Sequence, residues 1–213
     1  MTGVWSIPVD ATLQQARESA GCPPFLQRAL SDSLTWQDRN RRQVKQTLML
    51  GSIAPQWSAA LLALGATVTI ENESGTTDVP LKAFMEREVR GTPLKLHVNM
   101  EGLVWGEAHV GRTPADTPIV SAVAGVRWEG NTVSEARLAL TGVWSRPVGL
   151  AGSIGELVGK PLDSEAIEAL ARSVEAEIEP QGDFLGSIEY RKAMAGVLTR
   201  RALGQCMQEA KHE

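Results

Sequence analysis

The chain has 213 residues, of which 43% are hydrophobic and 22% charged, and its formal net charge is −4. This balance is typical of a globular protein with a sizeable core. The acidic charge and the lack of a basic stripe argue against a nucleic-acid partner. No apolar run reaches membrane-spanning length, and the first residues lack the pattern of a secretory signal. We therefore expect a cytoplasmic protein with no membrane partner.

Residues that carry metal or nucleophilic chemistry are sparse. Cys22 and Cys206 are too few for an iron–sulfur cluster, which needs about four thiolates, and we expect both thiols to be free and partly buried. His97, His109 and His212 have no metal-ligand spacing. Glycine patterns of hydrolases and of nucleotide-binding loops are missing from the sequence. We predict no metal site and no catalytic residue.

The first half of the chain predicts short helices mixed with strands. Helices are expected at 11–19, 25–34, 58–64 and 81–88. The third of these helices would be capped by Ser58 and ended by Gly65. Alternating polarity and turn residues predict strands at 67–71, 76–79 and 94–100. Between these elements, 72–75 reads as a hairpin turn and 35–46, which is polar and basic, as a loop.

That polar stretch holds the densest basic group of the chain, which comprises Arg39, Arg41, Arg42 and Lys45. A solvated surface is the ordinary explanation of such a group. Contact with a phosphate or with a partner protein is the alternative.

The second half predicts strands followed by helices. Strands are expected at 103–110, 119–128 and 132–141, the last two joined by a turn at 129–131. Helices follow from 154, from an Asp163 or Ser164 cap, and from a Ser187 cap to about Leu203, with Gly204 as a stop. This order favours an α+β fold in which helices cover one face of an antiparallel sheet.

The last predicted helix carries an unusual combination of side chains. Five residues recur near helical spacing and predict an amphipathic helix: Tyr190, Met194, Val197, Leu198 and Arg201. The wider pattern of Asp183, Gly186, Ser187, Tyr190, Arg191, Leu198, Arg200 and Arg201 resembles the C-terminal helix of one family. That family is the FAD-binding (medium) subunits of molybdenum hydroxylases, which include carbon monoxide and xanthine dehydrogenases.

The resemblance continues upstream in the same order. The segments 110–120, 130–143 and 146–159 are similar to successive parts of the family's C-terminal domain. The resemblance therefore implies a flavoprotein C-terminal-like domain at 102–213. Residues 1–101 would be a remnant of the FAD-binding domain, since this sequence starts after the family's first phosphate loop.

One loop of that remnant resembles the family's second glycine-rich loop. It comprises Arg39-Asn40, Thr47 and Gly51-Ser52-Ile53-Ala54. In the family this loop presents backbone N–H groups to the FAD pyrophosphate, as converging amides do for anions in general. If FAD is bound, the resemblance implies contacts from the amides of Gly51, Ser52 and Ile53.

Several departures from the family pattern fall where the flavin would lie. Leu50 replaces the first of two glycines, and Gln56 stands where the family favours an acid. The loop before 94–100 is short, and Glu107 and His109 occupy places where an aromatic residue and a cation are common. We therefore expect lost or weakened FAD binding, with no cofactor on the isolated chain and FAD as the one possible ligand.

The resemblance implies a medium-subunit-like component of a molybdenum hydroxylase complex, with a structural or docking role. Its expected partners are a molybdopterin-containing large subunit and a small iron–sulfur subunit, which would hold the molybdopterin and the [2Fe–2S] clusters. One alternative is an FAD electron-transfer subunit whose site is completed by a partner. Another is a stand-alone binding or regulatory module. The six tryptophans could serve as interface anchors or as core residues.

Overall fold

The computed structural model describes residues 3–113 and 116–210. His212 and the Pro114-Ala115 part of the segment 110–120 lie outside this range. The chain forms two compact units, one up to Glu101 and the other from Gly102. Each contains a four-stranded antiparallel sheet with helices, which confirms the predicted α+β class. Within the described ranges, no helix has the length and apolar character needed to span a bilayer.

The first unit contains a sheet with the strand order β1-β4-β2-β3. Its strands are β1 (Val4–Pro8), β2 (Thr67–Asn72), β3 (Gly75–Pro80) and β4 (Thr92–Asn99). Its helices are α1 (Leu13–Glu18), α2 (Pro24–Ser33), α3 (Trp36–Arg41), α4 (Val44–Met49), α5 (Pro55–Ala63) and α6 (Leu81–Met85). The hairpin of β2 and β3 and the strand β4 confirm the sequence expectations. The strand β1 was not predicted, because its five residues pair only with the distant β4.

The predicted loop at 35–46 is wrong, since most of it is helical. Thr35 caps α3 by accepting a hydrogen bond from the Asp38 amide at 3.2 Å. Gln43 forms a capping box with Gln46 at the start of α4. Each helix has six residues, which is less than two full turns. So short a helix shows no apolar period, and its caps are then the only sequence evidence for it.

The predicted start of α5 is also wrong. The helix begins at Pro55, a residue favoured in the first helical position, and Ser58 is buried inside it. Its end agrees with prediction, because Gly65 follows with a φ of +69°. The early start matters because α5 follows directly on the loop at 50–54.

The second unit contains a sheet with the strand order β5-β6-β7-β8. The strands are β5 (Leu103–Val110), β6 (Val120–Glu129), β7 (Thr132–Thr141) and β8 (Val148–Leu150). A 3-10 helix at Gly152–Leu157 leads to α7 (Ser164–Glu177) and α8 (Ile188–Glu209). The helix α8 packs on β5 and β6, and α7 packs against α8 and the 3-10 helix. Apolar residues of both helices share one core with the sheet residues Ala122, Ala124, Val126 and Leu138. The short β8 was not predicted.

The helix α8 starts as predicted, with the Tyr190 amide donating to Ser187 Oγ at 3.1 Å. It does not stop at Gly204 but continues to Glu209. Of the five residues at helical spacing, Leu198 is buried and Met194 packs against the core, whereas Tyr190 and Arg201 are exposed. The buried face consists of Arg191, Ala195, Gly196, Leu198, Thr199, Ala202, Leu203 and Cys206. Small residues dominate this face, so hydropathy alone pointed to the bulkier positions beside it.

Candidate functional site

The loop that joins α4 to α5 closes on itself. The Leu50 amide donates to the Gln46 carbonyl at 2.9 Å, and the Ile53 amide donates to the Leu50 carbonyl at 3.0 Å. A contact from the Ile53 amide to a pyrophosphate would require this turn to open. Gly51 is half-buried and Ser52 exposed, and the Leu50 side chain is 58% exposed beside them. The roles assigned to Gly51, Ser52 and Ile53 stay predictions.

A cleft of about 420 Å³ lies beside this loop in the first unit. The end of α4 forms one wall, and α6 with the segment that follows it forms the other. Its lining residues are Leu48, Met49, Phe84, Met85, Arg87, Val89, Arg90 and Gly91. On one side the lining residues Leu48 and Met49 directly precede the glycine-containing loop, and on the other side residues 89–91 belong to the short loop before β4.

Gly91 fixes the second wall of the cleft against the sheet. A Cβ atom built on Gly91 would lie 2.8 Å from the Glu71 carbonyl oxygen and 3.1 Å from Ile70 Cβ. Only glycine allows so close an approach of two backbones. The sequence did not reveal this cleft, because its residues come from distant segments that share no motif. The nearest indication was the pair of arginines, Arg87 and Arg90, in a shortened loop.

The carboxy-terminal motif forms a buried clamp in the second unit. The Arg191 guanidinium is 5% exposed and donates to the carbonyls of Ile119 and Gly142 at 2.9 and 2.8 Å. Its second Nη donates to Asp183 Oδ1 at 2.8 Å. The same carboxylate oxygen accepts the Leu185 amide at 2.9 Å. Arg191 therefore ties α8 to β6 and β7, and the motif that carries the family resemblance is structural.

This clamp predicts an acid sensitivity of the second unit. The hydrogen bond from Arg191, supported by the Leu185 amide, holds the pKa of Asp183 below its ordinary value of 3.8. A carboxyl with a lowered folded-state pKa contributes stability that is complete above the unfolded pKa. That contribution is lost as the pH falls through the folded-state pKa. Urea unfolding of the second unit between neutral pH and pH values below 3.8 measures the loss.

Asp183→Asn is the matched control for the acid sensitivity, because asparagine keeps the shape and cannot ionise. We expect it to lower the free energy of unfolding at neutral pH and to reduce the further loss of stability at acid pH. A loss of stability at acid pH as large as that of the native protein would show that other carboxyl groups cause the acid sensitivity.

Some residues of the basic group at 39–45 make structural contacts, and others lie on the surface. Arg39 Nε donates to Gln14 Oε1 at 2.8 Å, and its Nη1 donates to the Leu34 carbonyl. Arg39 therefore joins α1, α2 and α3 and is not available as a phosphate ligand. Lys45 pairs with Asp10 at 2.6 Å, and Arg41 is exposed.

The remaining candidate residues also make hydrogen bonds that hold the fold together. His97 lies between Ser6 Oγ and Thr69 Oγ1, at 2.8 Å from each. Gln56 accepts a hydrogen bond from Ser33 Oγ at 3.2 Å. The backbone of Glu107 exchanges hydrogen bonds with the Gln205 side chain at 2.8 and 2.9 Å. In the described part of the chain, no three His, Cys, Asp or Glu side chains come together as a metal site.

Both cysteines are free and buried, which confirms that expectation. Burial is the larger cause that raises the pKa of Cys22 to about 12 and that of Cys206 to about 12. Each is therefore a neutral thiol at physiological pH, without thiolate chemistry.

Comparison with known proteins identifies the second unit. Residues 108–206 match the family described as the CO dehydrogenase flavoprotein C-terminal domain. The chain is 30% identical over 176 residues to the carbon monoxide dehydrogenase medium chain of Hydrogenophaga pseudoflava, a match that covers 78% of this chain and 61% of that one. It is 24% identical over 187 residues to the glyceraldehyde dehydrogenase medium chain of Sulfolobus acidocaldarius, covering 84% and 66%.

Solved structures show the same fold. Quinoline 2-oxidoreductase from Pseudomonas putida 86 matches with a TM-score of 0.78 and 23% identity, over 99% of this chain and 77% of that one. Carbon monoxide dehydrogenase from Hydrogenophaga pseudoflava matches with a TM-score of 0.76 and 24% identity, over 97% and 78%.

These matches define a medium-subunit fold of the molybdenum hydroxylase type, as the resemblance predicted. Residues 108–206 thus form a CO dehydrogenase flavoprotein C-terminal domain, and the chain as a whole is similar to carbon monoxide dehydrogenase medium chains. It spans 61% and 66% of the lengths of the two curated relatives named above.

Proposed function

We propose that this chain is a docking subunit of a molybdenum hydroxylase-type complex and that its own FAD binding is lost or weakened. Its proposed partners are a molybdopterin-containing large subunit and an iron–sulfur small subunit. The relatives support an assembly, since they are named as medium chains and as a subunit of a dehydrogenase complex. The chain would fill its place in the complex and shield a neighbouring redox centre from water.

The loop at 50–54 is the observation that carries the proposed loss of flavin binding. Leu50 places a side chain where the family has glycine, and the Ile53 amide is already used within the loop. Converging free amides are what an anion-binding loop offers a pyrophosphate. By contrast, the Arg191 clamp that holds the second unit together is complete. This contrast supports a kept scaffold beside a loop that no longer binds the cofactor.

Exposed apolar side chains at the start of α8 support the docking role. Phe184 is 90% exposed, although Asp183 holds its loop in place. Ile188 and Tyr190 beside it are 45% and 37% exposed. Large apolar side chains presented on an ordered surface are typical of contacts with partner proteins.

Replacing Phe184 with serine is expected to weaken partner binding about tenfold, as loss of an interface anchor does. The measurement is the molybdenum and iron retained per chain after affinity purification of the tagged protein from its native host. Val158→Ser, which removes another exposed apolar side chain of the same unit, should leave both metals unchanged. Equal metal retention by the Phe184 variant would contradict this docking surface.

The same purification separates the proposed function from its alternatives. Molybdenum and iron without flavin support the docking subunit. Both metals with about one FAD per chain, as the family pattern implies, would instead support an electron-transfer subunit, and Gly51→Val should then deplete the flavin. Purification without either metal would support a stand-alone module and overturn the proposal.

A further inference from the structure

The cleft of the first unit has the chemistry of a small-molecule site. Its walls are formed mainly by Leu48, Met49, Phe84, Met85 and Val89, and two arginines lie on the segment that closes one side. A volume of about 420 Å³ is in the usual range for ligand pockets, which combine apolar walls with a few polar groups. Thioether and aromatic side chains suit a flat apolar ligand.

Arg87 occupies a backbone conformation that normally belongs to glycine. Its φ is +60°, the only positive value of a non-glycine residue among those described. The turn is closed by hydrogen bonds from the Arg87 amide to the Phe84 carbonyl and from the Glu88 amide to the Ala83 carbonyl, at 3.1 and 2.9 Å. Glycine is the favoured residue at this point of a helix end. An arginine there costs backbone energy and places a cation at the cleft.

Neither arginine of the cleft is neutralised by a neighbouring carboxylate. Over residues 3–113 and 116–210, the ion pairs found do not include Arg87 or Arg90. The nearby Glu86 pairs instead with Lys82 at 3.8 Å. Two arginines without a carboxylate partner thus line the cleft, and arginine binds carboxylates through paired hydrogen bonds.

We propose that this cleft binds a small aromatic carboxylate, with its ring between Met49, Phe84 and Met85 and its carboxylate at Arg87 and Arg90. The volume and the two cations favour one short anion over a dinucleotide with a pyrophosphate. Carboxylate binding would explain why an arginine occupies this strained position, because its side chain contributes binding to the carboxylate that glycine could not. This inference does not depend on the docking role of the second unit.

The test uses the full chain with methyl-labelled methionine and titrates 2-naphthoate, with neutral 2-naphthamide as the matched ligand. We expect naphthoate to shift the Met49 and Met85 methyl signals and to bind about tenfold more tightly than the amide, since hydrogen bonds to a charged group are lost with the amide. Equal affinities, or shifts at other methionines only, would overturn the proposal.

Variants of Arg87 test the cation and the strain together. Arg87→Gly and Arg87→Gln should each weaken naphthoate binding about tenfold, and Arg87→Gly should raise the thermal stability. Arg41→Gln, which changes an exposed arginine of the same unit outside the cleft, should bind as the native protein does. Native affinity in both Arg87 variants would overturn the inference.

A separate titration with FAD keeps the two proposals distinguishable. Displacement of naphthoate by FAD would contradict the proposed loss of flavin binding. Absence of naphthoate binding would overturn the carboxylate site and leave the docking subunit untouched.

Discussion

Replacing Arg191 with alanine is expected to lower the free energy of unfolding of the second unit by about 3 kcal/mol or more, through the unsatisfied groups that it leaves. The guanidinium satisfies the carbonyls of Ile119 and Gly142 and the carboxylate of Asp183 in a 5% exposed position. Alanine would remove the donor to both carbonyls and the partner of the Asp183 carboxylate, and it would leave a cavity. Urea unfolding followed by the far-ultraviolet circular dichroism of α8 measures the effect.

Arg191→Lys is the matched control for this result. Lysine keeps the charge but cannot reach two carbonyls and a carboxylate in one plane, because it has a single donor group. We expect it to recover only a small part of the lost stability. Near-native stability of the alanine variant would contradict the clamp. The carboxy-terminal motif would then again be a candidate binding site.

Replacing Gly106 with alanine is expected to destabilise the second unit by about 2 to 3 kcal/mol, as overpacking of a tight contact does. A Cβ atom on Gly106 would lie 2.0 Å from the Ala202 carbonyl oxygen. That oxygen belongs to the backbone of α8, so the helix would have to move away from β5. Thermal and urea unfolding measure the loss.

Gly204→Ala on the same helix provides the opposite expectation. A Cβ atom there meets nothing within 4 Å, and alanine is favoured over glycine inside a helix by about 1 kcal/mol. We expect this variant to be more stable than the native protein. Destabilisation by both substitutions to a similar degree would show that close packing of α8 on β5 is not the cause.

Local patterns in the sequence predicted six of the eight strands, all but the edge strands β1 and β8, and fewer details of the helices around the sheets. The hairpin of β6 and β7 was predicted because two apolar runs flank a turn, where Gly130 has a φ of +59°. The helices α3 and α4 were missed because each is short and lies in a polar and basic stretch, which indicated a loop. The buried face of α8 was indicated only in part, because alanine and glycine, which allow its close approach, carry little hydrophobic signal.

The candidate site was also predicted only in part from the sequence. The glycine-containing loop was found through its resemblance to a family pattern, and the structure added that its Ile53 amide is engaged. The cleft was not foreseen, because Met49, Phe84 and Arg87 meet only after α4 and α6 have packed together. Arg191 was recognised as part of a motif, but the three acceptors of its clamp lie far along the chain or in the preceding turn, and no spacing rule reveals them.

The flavin content of the complex purified from the native host tests the central claim most directly. The protein is denatured, the released cofactor is identified by its absorption and fluorescence, and its amount is divided by the amount of this chain. The account predicts molybdenum and iron in the sample and FAD far below one molecule per chain. A full equivalent of FAD, depleted by Gly51→Val, would contradict the loss of the cofactor loop.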